Sequence, residues 1–269
     1  MMAALPGRAF SLAIYGLSVL VGVAAFAYPF LLLLHPAGAP PGDLDGGSTG
    51  LLTALLVVLC LVAVLVEVQG QAVSARMVAA LGVLVAVASV LRFVETAIPG
   101  PGGFSPIFVP ILLAGYVFGA RFGYLMGVLS LLVSALVTGG VGPWLPYQML
   151  VAGWLGASAG WLPHPSRPGL ELGMLVSTAF AWGLLYGFLT NLYFWPFFAG
   201  DNLMRWQPGS GWQTAASHYA AFYLATSLVW DLFRGLGSGL LVLALGLPAV
   251  RAMARFRDRF QFAVEPGRA

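Results

Sequence analysis

The sequence predicts an all-α fold: a polytopic helical bundle embedded in a membrane, with about eight apolar spans. Three observations predict it. Of 269 residues, 60% are hydrophobic and 8% charged, and the mean hydropathy is +0.92. A soluble domain carries roughly 25% charged residues, so 12 basic and 9 acidic side chains are too few to dress a water-facing surface. The apolar residues also fall in runs near the ~20 residues that a helix needs to cross a hydrocarbon core. These numbers exclude a soluble enzyme, a disordered tail and a protein that reads nucleic acid through a basic face. The single cysteine, Cys60, permits neither an intrachain disulfide nor a cysteine metal cluster. No histidine pair or acidic cluster has metal-ligand spacing, so neither metal nor cofactor is expected.

In chain order the spans are 10–34, 51–66, 76–94, 107–119, 122–138, 146–162, 172–197 and 219–247. The second is marginal and the fourth short. The first has a basic residue before it and Ala37-Gly38-Ala39 after it, as a secretory signal would. Its apolar run of ~25 residues exceeds the ~7–15 of a signal core, which predicts a retained span. Arginines near helix ends set the orientation, because they are held on the cytoplasmic side. An inside N-terminus places Arg8, Arg76, Arg121, Arg167, Arg251, Arg255, Arg257, Arg259 and Arg268 inside. Only Arg92 and Arg205 then lie outside, with Arg234 inside the last span. Both termini are therefore expected in the cytoplasm. Three outer loops follow, at 95–106, 139–145 and 198–218. The first carries Pro99-Gly100-Pro101-Gly102-Gly103, which cannot continue a helix.

Several patterns could carry chemistry. Gly156-Ala157-Ser158-Ala159-Gly160 has the spacing of a hydrolase nucleophile elbow, but that elbow needs a strand-to-helix turn, and here it lies in an apolar helical run. Gly115, Gly119, Gly123 and Gly127 recur every four residues, Gly235 pairs with Gly239, and Ala75 with Ala79. Small residues at this spacing let backbones approach closely, either within the bundle or against another membrane subunit. Asp231 and Arg234, three apart, fall near the middle of the last span as read here. Such intramembrane charges pair or mark function, and a register-fixing ion pair and a functional site both remain open. Arg92 and Glu95 repeat the spacing and read as a solvated helix end. Trp144, Tyr147, Gln148, Asn191, Tyr193, Trp195, His218 and Tyr223 gather at outer helix ends. An interfacial belt accounts for the tryptophans and tyrosines but not for Gln148 or Asn191. Amides in apolar helices need partners, which suggests a site for a flat, polar organic molecule.

The stretch from Ala75 and Ala79 through the Gly/Pro loop to Gly115-Tyr116-Val117-Phe118-Gly119-Ala120-Arg121-Phe122-Gly123 resembles a known family. The most specific part is Gly142-Pro143-Trp144-Leu145-Pro146-Tyr147-Gln148-Met149. The chain resembles the substrate-specificity (S) component of energy-coupling factor (ECF) transporters, bacterial vitamin importers, over roughly 75–262. The resemblance implies a six-helix substrate-binding core at 71–262, a two-helix extension at 1–70 and a short cytoplasmic tail at 263–269. It implies a multi-pass protein of the bacterial plasma membrane that captures a micronutrient from outside. It also implies docking on a transmembrane coupling (T) component that is powered by two cytoplasmic ABC-type ATPases. Ala75 and Ala79 would contact the coupling protein. Trp144, Tyr147, Gln148, Asn191 and Tyr193 would line the substrate site, and a cobalamin-like corrinoid is the preferred cargo. The chain has no Gly-x-x-x-x-Gly-Lys-Ser/Thr loop, so ATP hydrolysis would fall to partners. The alternative is an intramembrane enzyme acting on a lipid or isoprenoid, with Asp231, Glu95 or His218 as acid–base groups.

Overall fold

The computed structural model describes residues 16–17, 19–20, 22–24, 26–27, 30, 75–98 and 104–261. Among them there is no strand. Ten described residues between 16 and 30 are helical; the expected span at 51–66, Cys60, the loop at 99–103 and the tail at 263–269 lie outside the described residues. The numbered helices are α1 (Ala75–Ala97), α2 (Phe108–Phe118), α3 (Ala120–Thr138), α4 (Leu145–Ala159), α5 (Pro168–Phe194), α6 (Trp212–Thr226) and α7 (Leu228–Gln261). A 3₁₀ turn, Trp195–Phe197, ends α5. Among the described residues, four helical stretches are long and apolar enough to cross a membrane: Met77–Ala97, Ala120–Thr138, Pro168–Phe197 and Leu228–Asp258.

The expected run at 107–119 becomes α2, whose 11 residues extend only ~16 Å. It is buried over its first ten residues, from Phe108 to Val117. A helix that is apolar all round belongs inside other protein. Irregular backbone at membrane depth is tolerated only where protein surrounds it, so the short α2 and the segment leading into it fit a bundle centre. Gly119, at φ 94° and ψ 169°, turns the chain from α2 into α3 in one residue. It therefore does not share a helix face with Gly115, Gly123 and Gly127, as even four-residue spacing had implied.

Those other glycines answer the packing question. The Gly156 carbonyl of α4 sits between Gly115 of α2 and Gly123 of α3, and Gly127 abuts the Ala152 carbonyl. Farther along the bundle, Gly183 of α5 lies against Gly235 of α7. Without a hydrophobic force between helices in lipid, such close approach supplies dispersion contact. The glycine stripe is internal packing. Ser158 is likewise structural: it donates to the Leu155 carbonyl at 2.9 Å and accepts the Trp182 indole N–H at 2.9 Å.

The single span expected at 219–247 requires correction. Ser227, at φ −130° and ψ −29°, breaks the helix between α6 and α7, and α6 begins at Trp212, shortening the expected loop at 198–218. Asp231 consequently lies in the first turn of α7 and not mid-span. That position favours it, because a helix N-terminus carries partial positive charge.

Candidate functional site

The helix directions give the bundle two ends. Arg121, Arg167, Arg251, Arg255 and Arg257 gather where α3 and α5 begin and α7 finishes. Trp144, Trp195 and Trp206 lie at the other end, where α4 begins and α5 finishes. A cavity occurs at each.

At the tryptophan end, a pocket of about 90 Å³ lies between α1, α3 and α4. Its polar lining is Arg92, Ser134, Thr138, Gly140, Trp144 and Gln148. Trp144 stands just before α4 and is 46% exposed, its indole N–H donating to the Gly140 carbonyl at 3.2 Å. Pro146 in the first turn of α4 is pre-set for a helix start. Gln148, half-buried one turn beyond Trp144, makes no side-chain hydrogen bond to any described residue.

The structure brings Trp144 and Gln148 together in this pocket, whereas Tyr147, Asn191 and Tyr193 do not line it. Tyr147 is 3% exposed and stacks on Tyr193, with ring centroids 4.2 Å apart and planes at 29°. Phe26 of the N-terminal helical stretch meets Tyr147 edge-on at 4.9 Å, and Phe30 meets Trp206 at 5.1 Å. Asn191 gives its amide N–H to Ser227 at 2.7 Å, tying α5 to the α6–α7 break.

Arg92 and Glu95 are not a solvated helix end, as their spacing had suggested. Arg92 Nη1 donates to Glu95 Oε1 at 3.3 Å and to Ser105 Oγ at 3.1 Å, and Ser105 Oγ donates to Glu95 Oε2 at 2.6 Å. Ser105 is 1% exposed. The chain leaving α1 folds back into the bundle, where the ring of Phe104 rests on Gly237 of α7, and the triad satisfies the polar groups carried in with it. Spacing in α1 could not show a partner ten residues away. One signal for this pocket was present: Ser130, Ser134 and Thr138 recur every four residues along one face of α3.

Asp231 and Arg234 form the ion pair that their spacing suggested. Asp231 is 2% exposed and lies against Gly187 of α5, where a side chain would collide with its carboxylate. Arg234 also lies over the Tyr186 ring, 5.7 Å from its centroid. His218 engages the Arg205 carbonyl at 3.0 Å through Nδ1. Among the described residues, no group of three His, Cys, Asp or Glu could hold a metal.

At the arginine end, an apolar groove of about 460 Å³ runs between α1 and α7. Ala79, Ala80, Val83, Phe118, Met253 and Phe256 line it, and Ala79 is exposed. Ala75, one turn earlier, opens α1. Beside the groove, Arg257 Nη1 donates to the Val117 carbonyl at 2.9 Å, capping the C-terminal turn of α2. Tyr116 donates to Glu171 at 2.8 Å and stacks on His164 at 4.3 Å, closing the same end of the bundle.

A short buried helix packed among longer apolar ones, with a cavity at each end, fits a multi-pass membrane protein. The family model described as ECF transporter, substrate-specific component, matches residues 76–246. This is more than half of the chain, and the protein belongs to that family. Its members are substrate-binding transport subunits rather than catalysts, and they work with a T component and ATPases. No curated protein and no solved structure matches the chain.

Proposed function

We propose that this protein captures a micronutrient at the tryptophan end of its bundle and hands it inward by docking, at the arginine end, on a coupling component driven by two ATPases. The observation that carries the reading is the separation of two unlike surfaces. A small polar pocket holds Trp144 and Gln148, and an apolar groove holds Ala79 at the opposite end. Arginine-rich ends are retained in the cytoplasm, so the pocket faces outward and the groove faces the partners, in a bacterial plasma membrane. Tyr147 and Tyr193 stack on each other outside that lining and would meet the rest of the ligand, and Asn191 ties α5 to the α6–α7 break. Ala79 presents a small side chain on which a partner helix can approach closely, and Ala75 opens the same helix one turn earlier. The Asp231–Arg234 pair sets the register of α7 against α5. The N-terminal helical stretch that carries Phe26 and Phe30 is an addition outside the 71–262 core.

Native mass spectrometry of the gently extracted complex tests this reading. A bound vitamin-sized molecule should accompany the chain, with coupling and ATPase subunits in the same particle. The isolated chain should bind one member of a vitamin panel, cobalamin included, without ATP. No binding across the panel, together with no co-purifying subunits, would overturn the proposal.

A further inference from the structure

The pocket at the start of α4 has a chemical character that narrows what it takes. Arg92 is the one ionisable residue in its lining, and the floor is Leu131 and Ala135. Arg92 is also held in place. Its Nη1 is committed to Glu95 and Ser105, whereas Nη2 and Nε donate to no described residue. A guanidinium fixed from one side by a carboxylate presents its remaining donors in a rigid planar fork, the geometry that matches a carboxylate.

Gln148 lines the same pocket with an unspent carboxamide, which offers two further N–H donors. The start of α4 contributes little, because Leu145 N–H is bonded to the Gly142 carbonyl, Gln148 N–H to the Trp144 carbonyl, and Pro146 has no N–H. Two donor side chains, Arg92 and Gln148, therefore line one cavity of about 90 Å³. That space takes one functional group of a ligand, not a whole one. Glu95 already offsets part of the Arg92 charge, which suits a monoanion better than a phosphate dianion.

We infer that this pocket is a carboxylate subsite: Arg92 and Gln148 receive the carboxylate of an organic-acid micronutrient, and the Trp144 indole covers the adjoining part of the molecule. The inference rests on the importer reading and adds the substrate's chemical class, naming Arg92 as a specificity-determining residue.

Matched pairs that differ at one group provide the test. Binding to the purified chain in nanodiscs is measured at neutral pH for nicotinate against nicotinamide, pantothenate against pantothenol, biotin against biotinamide, and pyridoxal phosphate against pyridoxal. One acid should bind while its neutral partner binds about 10- to 100-fold more weakly, the worth of one charge-assisted hydrogen bond. Arg92→Gln should erase that difference by weakening the acid to the level of its neutral partner. Because Arg92→Gln leaves Glu95 without its cation, Arg92→Gln/Glu95→Gln is measured beside it, and the same loss of acid preference is expected. A neutral vitamin bound tightly and unaffected by Arg92→Gln would overturn the carboxylate assignment and leave the importer reading standing. Preference for the phosphate, or acid preference surviving both variants, would also overturn it. Binding of nothing in this panel or in the wider vitamin panel would overturn both readings.

Discussion

Gly123 offers the sharpest test of how the bundle is built. A Cβ placed on it would lie 2.1 Å from the Gly156 carbonyl oxygen and 2.6 Å from Gly115 Cα, whereas real Cβ atoms essentially never come within 3.0 Å. Reaching even that limit requires 3.0 − 2.1 = 0.9 Å of movement. The obstacle is backbone on two helices, so no side-chain rotation relieves it. The Gly156 carbonyl also fills the space beside Gly115, and moving α3 away from α4 opens the junction with α2. Overpacking costs about 1–3 kcal/mol, occasionally more, and a rigid obstacle belongs at the upper end. Gly123→Ala should therefore destabilise the protein by about 3 kcal/mol. Gly82→Ala on α1 is the control, because nothing lies within 4 Å of its Cβ position. There the greater helix propensity of alanine should leave stability unchanged or raise it by about 0.4–1 kcal/mol. Unfolding in detergent, followed by tryptophan fluorescence against denaturant, reads both. Equal midpoints for the two variants would refute the close-packed junction.

Arg234→Met should destabilise by about 3–5 kcal/mol because it leaves Asp231 buried without its cation, whereas Asp231→Leu/Arg234→Met should recover most of the loss; the same unfolding assay checks this, and equal losses in the single and double variants would contradict it. Phe26→Ala should cost about 0.5–1.5 kcal/mol of aromatic contact with Tyr147. It should also weaken ligand binding by loosening the Tyr147–Tyr193 stack, as isothermal titration of wild type and variant would show. Unchanged affinity would separate the N-terminal helix from the site.

Much of this architecture is legible in the chain because lipid makes strict demands on it. Runs of apolar residues bounded by Gly and Pro place α1 to α5 within a few residues of their observed limits, and Pro143-Trp144-Leu145-Pro146 marks the start of α4. The break at Ser227 is not legible, since Thr226 and Ser227 are small residues within an apolar run and no proline or glycine interrupts it. A hydropathy reading therefore merges α6 with α7 and misjudges the depth of Asp231. The candidate site divides in the same way. Trp144 and Gln148 are found by residue type and position at a helix start. Arg92 enters only because Ser105 folds back onto α1, and Phe26 because a helix more than 100 residues away in sequence packs on Tyr147. Contacts at such separation leave no periodic trace.

In the proposed importer, capture and docking reside on opposite ends of one subunit, with the power supplied by others. The most direct measurement replaces Ala79 with tryptophan in the apolar groove and records two quantities on the same variant: ligand affinity of the purified chain, and uptake by cells that express the coupling and ATPase subunits. Affinity equal to wild type with uptake abolished is the predicted result. Uptake at the wild-type rate, or loss of affinity in a folded Ala79→Trp protein, would contradict the division of labour between the two ends.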